Sequence, residues 1–389
     1  MRSFLIVSLF ASMLMLTSCT PDDDQDIKPP AGTEEQFMVL QLSDNNKLEM
    51  GAQLSLLKVK NGEPTYKTLN GLYPVTNLRS NVEINNNVAI IGLHTDFNVP
   101  GTNRQTNGAW FNIADGAYEN LPLLPAGQGR YSYFLAGTEK VSKSGHVFYL
   151  SASNVADYHD QYRASLVRYN PKTRKLDTAL DPASFAVNQP EKGWDTETGQ
   201  FTKVFYPSSD GRYVYGAIET FGVNGGSIHW DYKILFKYDF DLNVYTRLGG
   251  TEDNNVFVLG ITSDGNSLFY QNAPDRKVVN VNSNTINKLT ISGGQGYANT
   301  SRWNSFSYCS GETNNTIGIY NIVSDVKQIL KTSSYPEYAQ FSADGKKIYF
   351  MIESSKGKYL CRTSDLTSGT VIDTLCTLSS NVNEFMVIK

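Results

Sequence analysis

Three of the four histidines in this chain stand beside carboxylates and aromatic side chains. His94 precedes Asp96 and Phe97. His159 is framed by Asp157, Tyr158, Asp160 and Tyr162. His229 is followed at once by Trp230 and Asp231. Such groups support two kinds of chemistry. Neutral imidazoles from neighbouring loops, with a carboxylate, can hold a divalent metal ion that assists elimination or hydrolysis. Aromatic faces can instead stack on sugar rings or aromatic chelators, while polar side chains fix the orientation of the ligand. Against both stands the plain alternative that these are ordinary polar loop residues. The fourth histidine, His146, reads as a packing residue at the start of a strand.

Other catalytic patterns are absent. The chain has no GxSxG elbow, no HExxH, no P-loop and no GxGxxG after a strand. The Gly222–Gly226 run, GVNGG, reads as a flexible loop rather than a phosphate cradle. A net charge of −4 argues against a nucleic-acid surface. Cys309, Cys361 and Cys376 are an odd set outside the leader with no CxxC spacing, which points to buried free thiols.

What must position the histidines is a repeat. FSADGKKIYFM (341–351) is echoed by YPSSDGRYVYG (206–216), ITSDGNSLFYQ (261–271) and, more loosely, KVSKSGHVFYL (140–150). Asp-Gly supplies the local hydrogen bond and the positive φ of a tight turn, and a β-prone run follows. A second unit, strand–turn–strand, occurs seven times, beginning near residues 54, 109, 166, 235, 278, 317 and 360. Its period of about fifty residues is that of four-stranded propeller blades. Ser-x-Asp-Gly then marks the turn between strands A and B, and the second unit is strands C and D. The abundance of Tyr and Phe (23 and 19) suits pleated, half-buried positions.

The first blade begins at strand B, FMVLQLS (37–43), with nothing upstream to serve as strand A. The spare terminal strand NEFMVIK (383–389) is expected to fill that place and close the ring, which removes two open sheet edges. The expected fold is therefore an all-β, seven-bladed β-propeller over 36–389, with its C-terminal strand completing the first blade. No stretch has helical periodicity of useful length.

Blade topology puts B–C and D–A loops on one face. The B–C loops of blades five to seven are short, but those of blades two to four, 94–108, 152–164 and 219–232, are long. Function gathers where a rigid scaffold carries extra loop. The expected ligand-binding set is His94, Asp96, Tyr158, His159, His229 and Trp230, with Arg130 and Tyr131 from a D–A segment of the same face. No residue is assigned a catalytic role. No cofactor is expected, apart from a divalent metal if His94, His159 and His229 converge.

The leader has a short basic start and an apolar core, Phe4–Leu16, too short to span a membrane. Leu16-Thr17-Ser18-Cys19 resembles the bacterial lipobox. That resemblance implies a signal peptide over 1–18, lipidation at Cys19 and an acidic, Pro-rich tether over 19–35. The acidic cluster after Cys19 resembles the surface-export signal of Bacteroidetes lipoproteins. Phe341-Ser342-Ala343-Asp344-Gly345, with Ile348 and Phe350, is similar to the TolB-type, WD-repeat-like propeller repeat; the turns at Gly211 and Gly265 match in part.

Together these resemblances imply an outer-membrane lipoprotein, exposed at the cell surface, with lipid as its sole attachment to the membrane and no nucleic-acid partner. It would bind a glycan or a metal chelate such as a siderophore and pass it to a TonB-dependent transporter. An alternative is a metal-dependent polysaccharide lyase or hydrolase, since some such lyases are seven-bladed propellers with His-rich metal centres. A second alternative is a protein–protein platform in the envelope.

Overall fold

The computed structural model describes residues 34–42, 52–73, 88–95, 105–112, 118–124, 132–134, 140–142, 144–153, 164–187, 198–224, 227–250, 253, 255–262, 265–272, 275–289, 307–311, 315–321, 326–342, 346–364, 366 and 372–388. Among them the chain is a succession of antiparallel meanders. β1 (Glu35–Leu42), β2 (Ala52–Lys60) and β3 (Glu63–Tyr73) come first, then β4 (Val88–Thr95), β5 (Gln105–Asn112) and β6 (Tyr118–Asn120). β7 (Ser132–Phe134) and β8 (Lys140–Val141) both pair with β9 (Val147–Ser153), which leads to β10 (Ala164–Asn170) and β11 (Lys175–Thr178). A six-residue helix, α1 (Pro182–Val187), follows.

The next sheet is β12 (Thr198–Pro207), β13 (Tyr213–Asn224), β14 (Ser227–Asp239) and β15 (Val244–Arg247). Then come β16 (Val256–Ile261), β17 (Ser267–Asn272), β18 (Asp275–Asn280) and β19 (Ile286–Leu289). β20 (Ser307–Gly311), β21 (Thr316–Asn321) and β22 (Val326–Lys331) form a three-stranded sheet. β23 (Pro336–Phe341), β24 (Ile348–Ser354), β25 (Gly357–Thr363) and β26 (Ile372–Leu378) complete the series. The last strand, β27 (Val382–Val387), returns to pair with β1, with Phe37 opposite Val387 and Val39 opposite Phe385.

Among the described residues, five sheets thus have the four or more strands of a complete blade, where the sequence leads one to expect seven. The other two, β4–β6 and β20–β22, show three strands each. The stretches before them where an inner strand is expected, 74–87 and 290–306, lie outside the described residues.

Where side chains are described, the sheets pack as propeller blades by burying both faces. β24 sends Ile348, Phe350 and Ile352 toward one neighbouring sheet and Tyr349 and Met351 toward the other. β13 divides likewise, Val214 and Ile218 against Tyr215 and Ala217. This period of two on a strand apolar throughout is what doubly covered sheets require. First strands of adjoining sheets touch: β8 and β12, β12 and β16, β23 and β27.

Closure is reinforced by polar groups. The Gln340 amide donates to Phe385 O and its oxygen accepts from Val387 N, both buried. Glu35 pairs with Arg362 at 2.6 Å, almost wholly buried, and with Lys347 at 3.4 Å. Cys361 and Cys376 are buried free thiols on adjoining strands. They face opposite sides of their sheet, Cys361 toward β17 and β21 and Cys376 toward β1. Burial pushes the Cys376 thiol up to about 12.

Candidate functional site

Alternating strand direction gives the propeller two unlike ends. One collects the A–B and C–D turns, the other the B–C and D–A connections.

The turn end is built from repeated local bonds. In the A–B turn of the fourth blade, Ser208 Oγ accepts from Tyr213 N at 2.9 Å and donates to Asp210 Oδ1 at 2.5 Å, while Asp210 accepts from Arg212 N. Thr262 Oγ1 accepts from Ser267 N at 3.0 Å and Ser342 Oγ from Lys347 N at 3.0 Å, in the same way. Ser142 Oγ accepts from His146 N, also at 3.0 Å. The hydroxyl that closes these turns is therefore the first residue of Ser-x-Asp-Gly, Ser208 and Ser342, with Thr262 in the same place in the fifth blade. Gly145, Gly211 and Gly265 take φ of +89°, +76° and +72°, a region open to glycine at little cost.

The C–D turns repeat a second device. Asn170 Oδ1 accepts from the N–H groups of Lys172 and Thr173, Asp239 Oδ1 from those of Asp241 and Leu242, and Asn280 Oδ1 from those of Asn282 and Ser283. Four residues beyond each, Arg174, Asn243 and Asn284 take positive φ. These are Asx turns, in which a short side chain replaces the missing strand partner. β5 and β21 also end in Asn, at Asn112 and Asn321.

Charges tie neighbouring turns together. Arg168 pairs with Asp177 at 2.8 Å and Asp241 at 3.2 Å, and donates to Gly211 O. Arg212 pairs with Asp239 at 2.7 Å. His146 sits in the A–B turn, one residue before β9, rather than within the strand. Its ring bonds Ser144 Oγ at 2.8 Å and Asn170 Nδ2 at 3.3 Å. Burial, helped by Arg168, lowers its pKa, so the ring is neutral near pH 7.

At the loop end the blades differ. In the fifth blade, β17 and β18 are six residues each and pair up to Asn272 and Asp275. In the fourth, β13 and β14 run for 12 and 13 residues. Thr198, the last partner from β12, is opposite Phe221, so the pairs from Gly222–His229 to Asn224–Ser227 overhang the sheet. The stretch 219–232 is therefore a hairpin, not the loop expected. Two β-prone runs separated by Gly-Gly are a hairpin signal, and the two-residue connection 225–226 fits it. His229 and Trp230 are strand residues, paired with Gly222 and Phe221. His94 also lies in a strand, β4, opposite Thr106. Asp96, Arg130, Tyr131, Tyr158 and His159 lie outside the described residues, so the convergence expected of them is not on view.

Two groups at this end escaped notice in the sequence. At the hairpin base, Lys233 pairs with Glu219 at 3.3 Å, and its ammonium lies 3.9 Å from the ring centre of Phe257, which is 47% exposed. Gln200 reaches Glu219 at 3.5 Å. Beside them Asp253, fully buried, pairs with Lys277 and accepts from Tyr270 Oη, Asn272 Nδ2 and Gly250 N. Burial pushes its carboxyl up, but these donors together outweigh that and hold it below the usual carboxylate range. An aspartate 24 residues from its lysine carries no sequence signal of such pairing. Among the described residues, no three His, Cys, Asp or Glu side chains are grouped to hold a metal.

No family model and no curated protein matches the chain. Solved structures do. TolB from Acinetobacter baumannii is similar at 10% identity, with 91% of this chain and 82% of that one covered and a TM-score of 0.40. The β-propeller domain of the trilobed protease from Pyrococcus furiosus is similar at 11% identity over 75% and 80%, TM-score 0.45. An oligogalacturonate lyase in complex with manganese is similar at 10% identity over 89% and 86%, TM-score 0.47. The propeller fold itself rests on the strand pairing above.

Proposed function

We propose that this chain is a lipid-anchored, seven-bladed propeller that captures a nutrient ligand, a glycan or a metal chelate, on its loop face. Lipid at Cys19 holds it to the outer membrane, with the propeller at the cell surface. Capture is non-catalytic, and the bound ligand passes to a TonB-dependent transporter.

The observation that carries this reading is the overhanging hairpin of the fourth blade. It places His229 and Trp230 on paired backbone rather than on a loose loop, and a binding group held by a strand is more precisely placed than one on a loop. At its base, exposed Phe257 and the Lys233–Glu219 pair supply an aromatic surface with a charged donor and acceptor, the mixture that sugars and chelates use.

The test is calorimetric titration of the mature chain without its lipid-bearing cysteine, residues 20–389, with oligosaccharides and ferric siderophores. The expected result is saturable binding to one class, weakened tenfold or more by Trp230→Ala, on the order of 1.4 kcal/mol. Binding that survives Trp230→Ala, Phe257→Ala and His229→Ala together would overturn the assignment of the face. Elemental analysis of the same protein decides the metal question: stoichiometric metal, lost in His159→Ala, would move the molecule to the lyase class.

A further inference from the structure

The hydrogen bonds around His146 fix where its one ring proton sits. Asn170 Oδ1 accepts from Lys172 N at 3.0 Å and from Thr173 N at 3.3 Å, so the amide cannot turn over. Its NH2 therefore faces His146 Nε2, at 3.3 Å. Nε2 must be the bare, accepting nitrogen, and the proton lies on Nδ1. From there the donors run in one direction. Nδ1–H donates to Ser144 Oγ at 2.8 Å, Ser144 to Ser142 Oγ at 2.8 Å, and Ser142 to His146 O at 3.3 Å. A second ring proton has no place in this arrangement, because it would point Nε2–H at an amide group that can only donate.

The same ring closes a seam between blades. It packs so tightly on Gly211 of the fourth blade that a Cβ there would lie 2.6 Å from Nδ1. Ser144, its hydrogen-bond partner, donates its N–H to Ser209 O of the fourth blade at 2.9 Å. The charges around the ring come from four segments. Burial and Arg168 of β10 oppose a proton; Asp177 of β11 and Asp241 and Asp210 of the fourth blade's turns favour one. Those acids are engaged elsewhere, Asp177 and Asp241 by Arg168, Asp210 by Ser208 Oγ and Arg212 N. The ring is half-buried, so once charged it gains by turning out to water, and its contacts go together. We propose that His146 is an acid-sensitive latch: the neutral imidazole ties the A–B turn of the third blade to its own C–D turn and to the A–B turn of the fourth, and a proton on Nε2 releases both. The folded ring titrates below its unfolded value. The latch is therefore closed above the unfolded pKa and opens as pH falls through the folded one. It does not depend on what the loop face binds.

Nitrogen-15 NMR of residues 20–389, labelled at histidine, reads the tautomer and the titration together. The ring is identified by its loss in His146→Gln. At pH 7 the parent should show Nδ1 protonated and Nε2 bare. Asn170→Asp keeps an acceptor for Lys172 and Thr173 but puts a second acceptor where the donor was. It should move the proton to Nε2 and raise the ring's proton affinity about tenfold or more. As the parent ring titrates, amide exchange at Ser144, Lys172 and Thr173, corrected for the intrinsic effect of pH, should speed several-fold. In His146→Gln, whose side-chain oxygen can accept from Asn170 at any pH, no such step should appear. A proton on Nε2 in the parent at pH 7, an unchanged tautomer in Asn170→Asp, or protonation without faster exchange at these amides would each overturn the proposal.

Discussion

The fourth and fifth blades have nearly the same turn end and very different loop ends. Ser208 and Gly211 in one do what Thr262 and Gly265 do in the other, and Asp239 and Asn243 what Asn280 and Asn284 do. At the far end, one blade stops at a two-residue link between six-residue strands, while its neighbour extends a hairpin past the sheet. The difference shows how a repeat protein separates two tasks. Local hydrogen bonds written into every repeat hold the turn end. The loop end, free of that duty, can differ from blade to blade and take up function.

The largest effect should come from Asp253→Asn, which unties the connection between these two blades from the fifth blade. It leaves the Lys277 ammonium, largely buried, without its counter-charge, a change that costs about 3–5 kcal/mol. The pH dependence has a definite sign. The folded carboxyl titrates below its unfolded value, so its contribution is complete above about pH 4 and is lost as pH falls through the folded pKa. Urea midpoints at pH 7 and pH 3 should therefore differ more for the parent than for the variant. Equal differences would show that Asp253 has no such role.

The two A–B glycines sharpen the contrast within the turn end. An alanine Cβ at 211 would lie 2.6 Å from His146 Nδ1 and 2.7 Å from Ser144 Oγ. At 265 the nearest atom is 3.9 Å away. Both variants bear the positive-φ penalty, about 1–2 kcal/mol. Gly211→Ala should cost roughly 1–3 kcal/mol more, since it must also displace the third blade's turn. Thermal unfolding of the pair reads this directly, and equal losses would mean the two turns are independent.

Smaller still is Ser208→Ala, at about 1 kcal/mol for the lost turn hydroxyl, against less than about 0.5 kcal/mol for its neighbour Ser209→Ala. The smallest stability effect belongs to the loop end. Cutting residues 222–229 back to Asn-Gly should make the fourth blade end like the fifth and change the unfolding free energy, read by urea titration, by no more than about 0.5 kcal/mol. Ligand binding should nevertheless be lost.

Much of this architecture was legible in the sequence, for a physical reason. A propeller repeats the same local problem, so Asp-Gly turns and C–D hairpins recur at a readable spacing, and a terminal strand without a partner implies closure on Phe37–Leu42. What stayed hidden depends on register or on distance. Thr262 fills the place of Ser208 although the pattern calls for Ser there. The Asn170, Asp239 and Asn280 turns carry no fixed neighbours that would mark them. The stretch 219–232 reads as a loop because its glycines suggest freedom, whereas Gly225-Gly226 joins two paired strands. Asp253 finds Tyr270, Asn272 and Lys277 only across strands.

Amide hydrogen exchange with and without the best-binding ligand tests the central claim most directly, because it reads both ends of the fourth blade in one sample. Slowed exchange across residues 219–233, with residues 208–213 and 239–244 unchanged, is the result predicted for capture on the loop face. Protection confined to the turn segments, or none in either place with the ligand demonstrably bound, would contradict it.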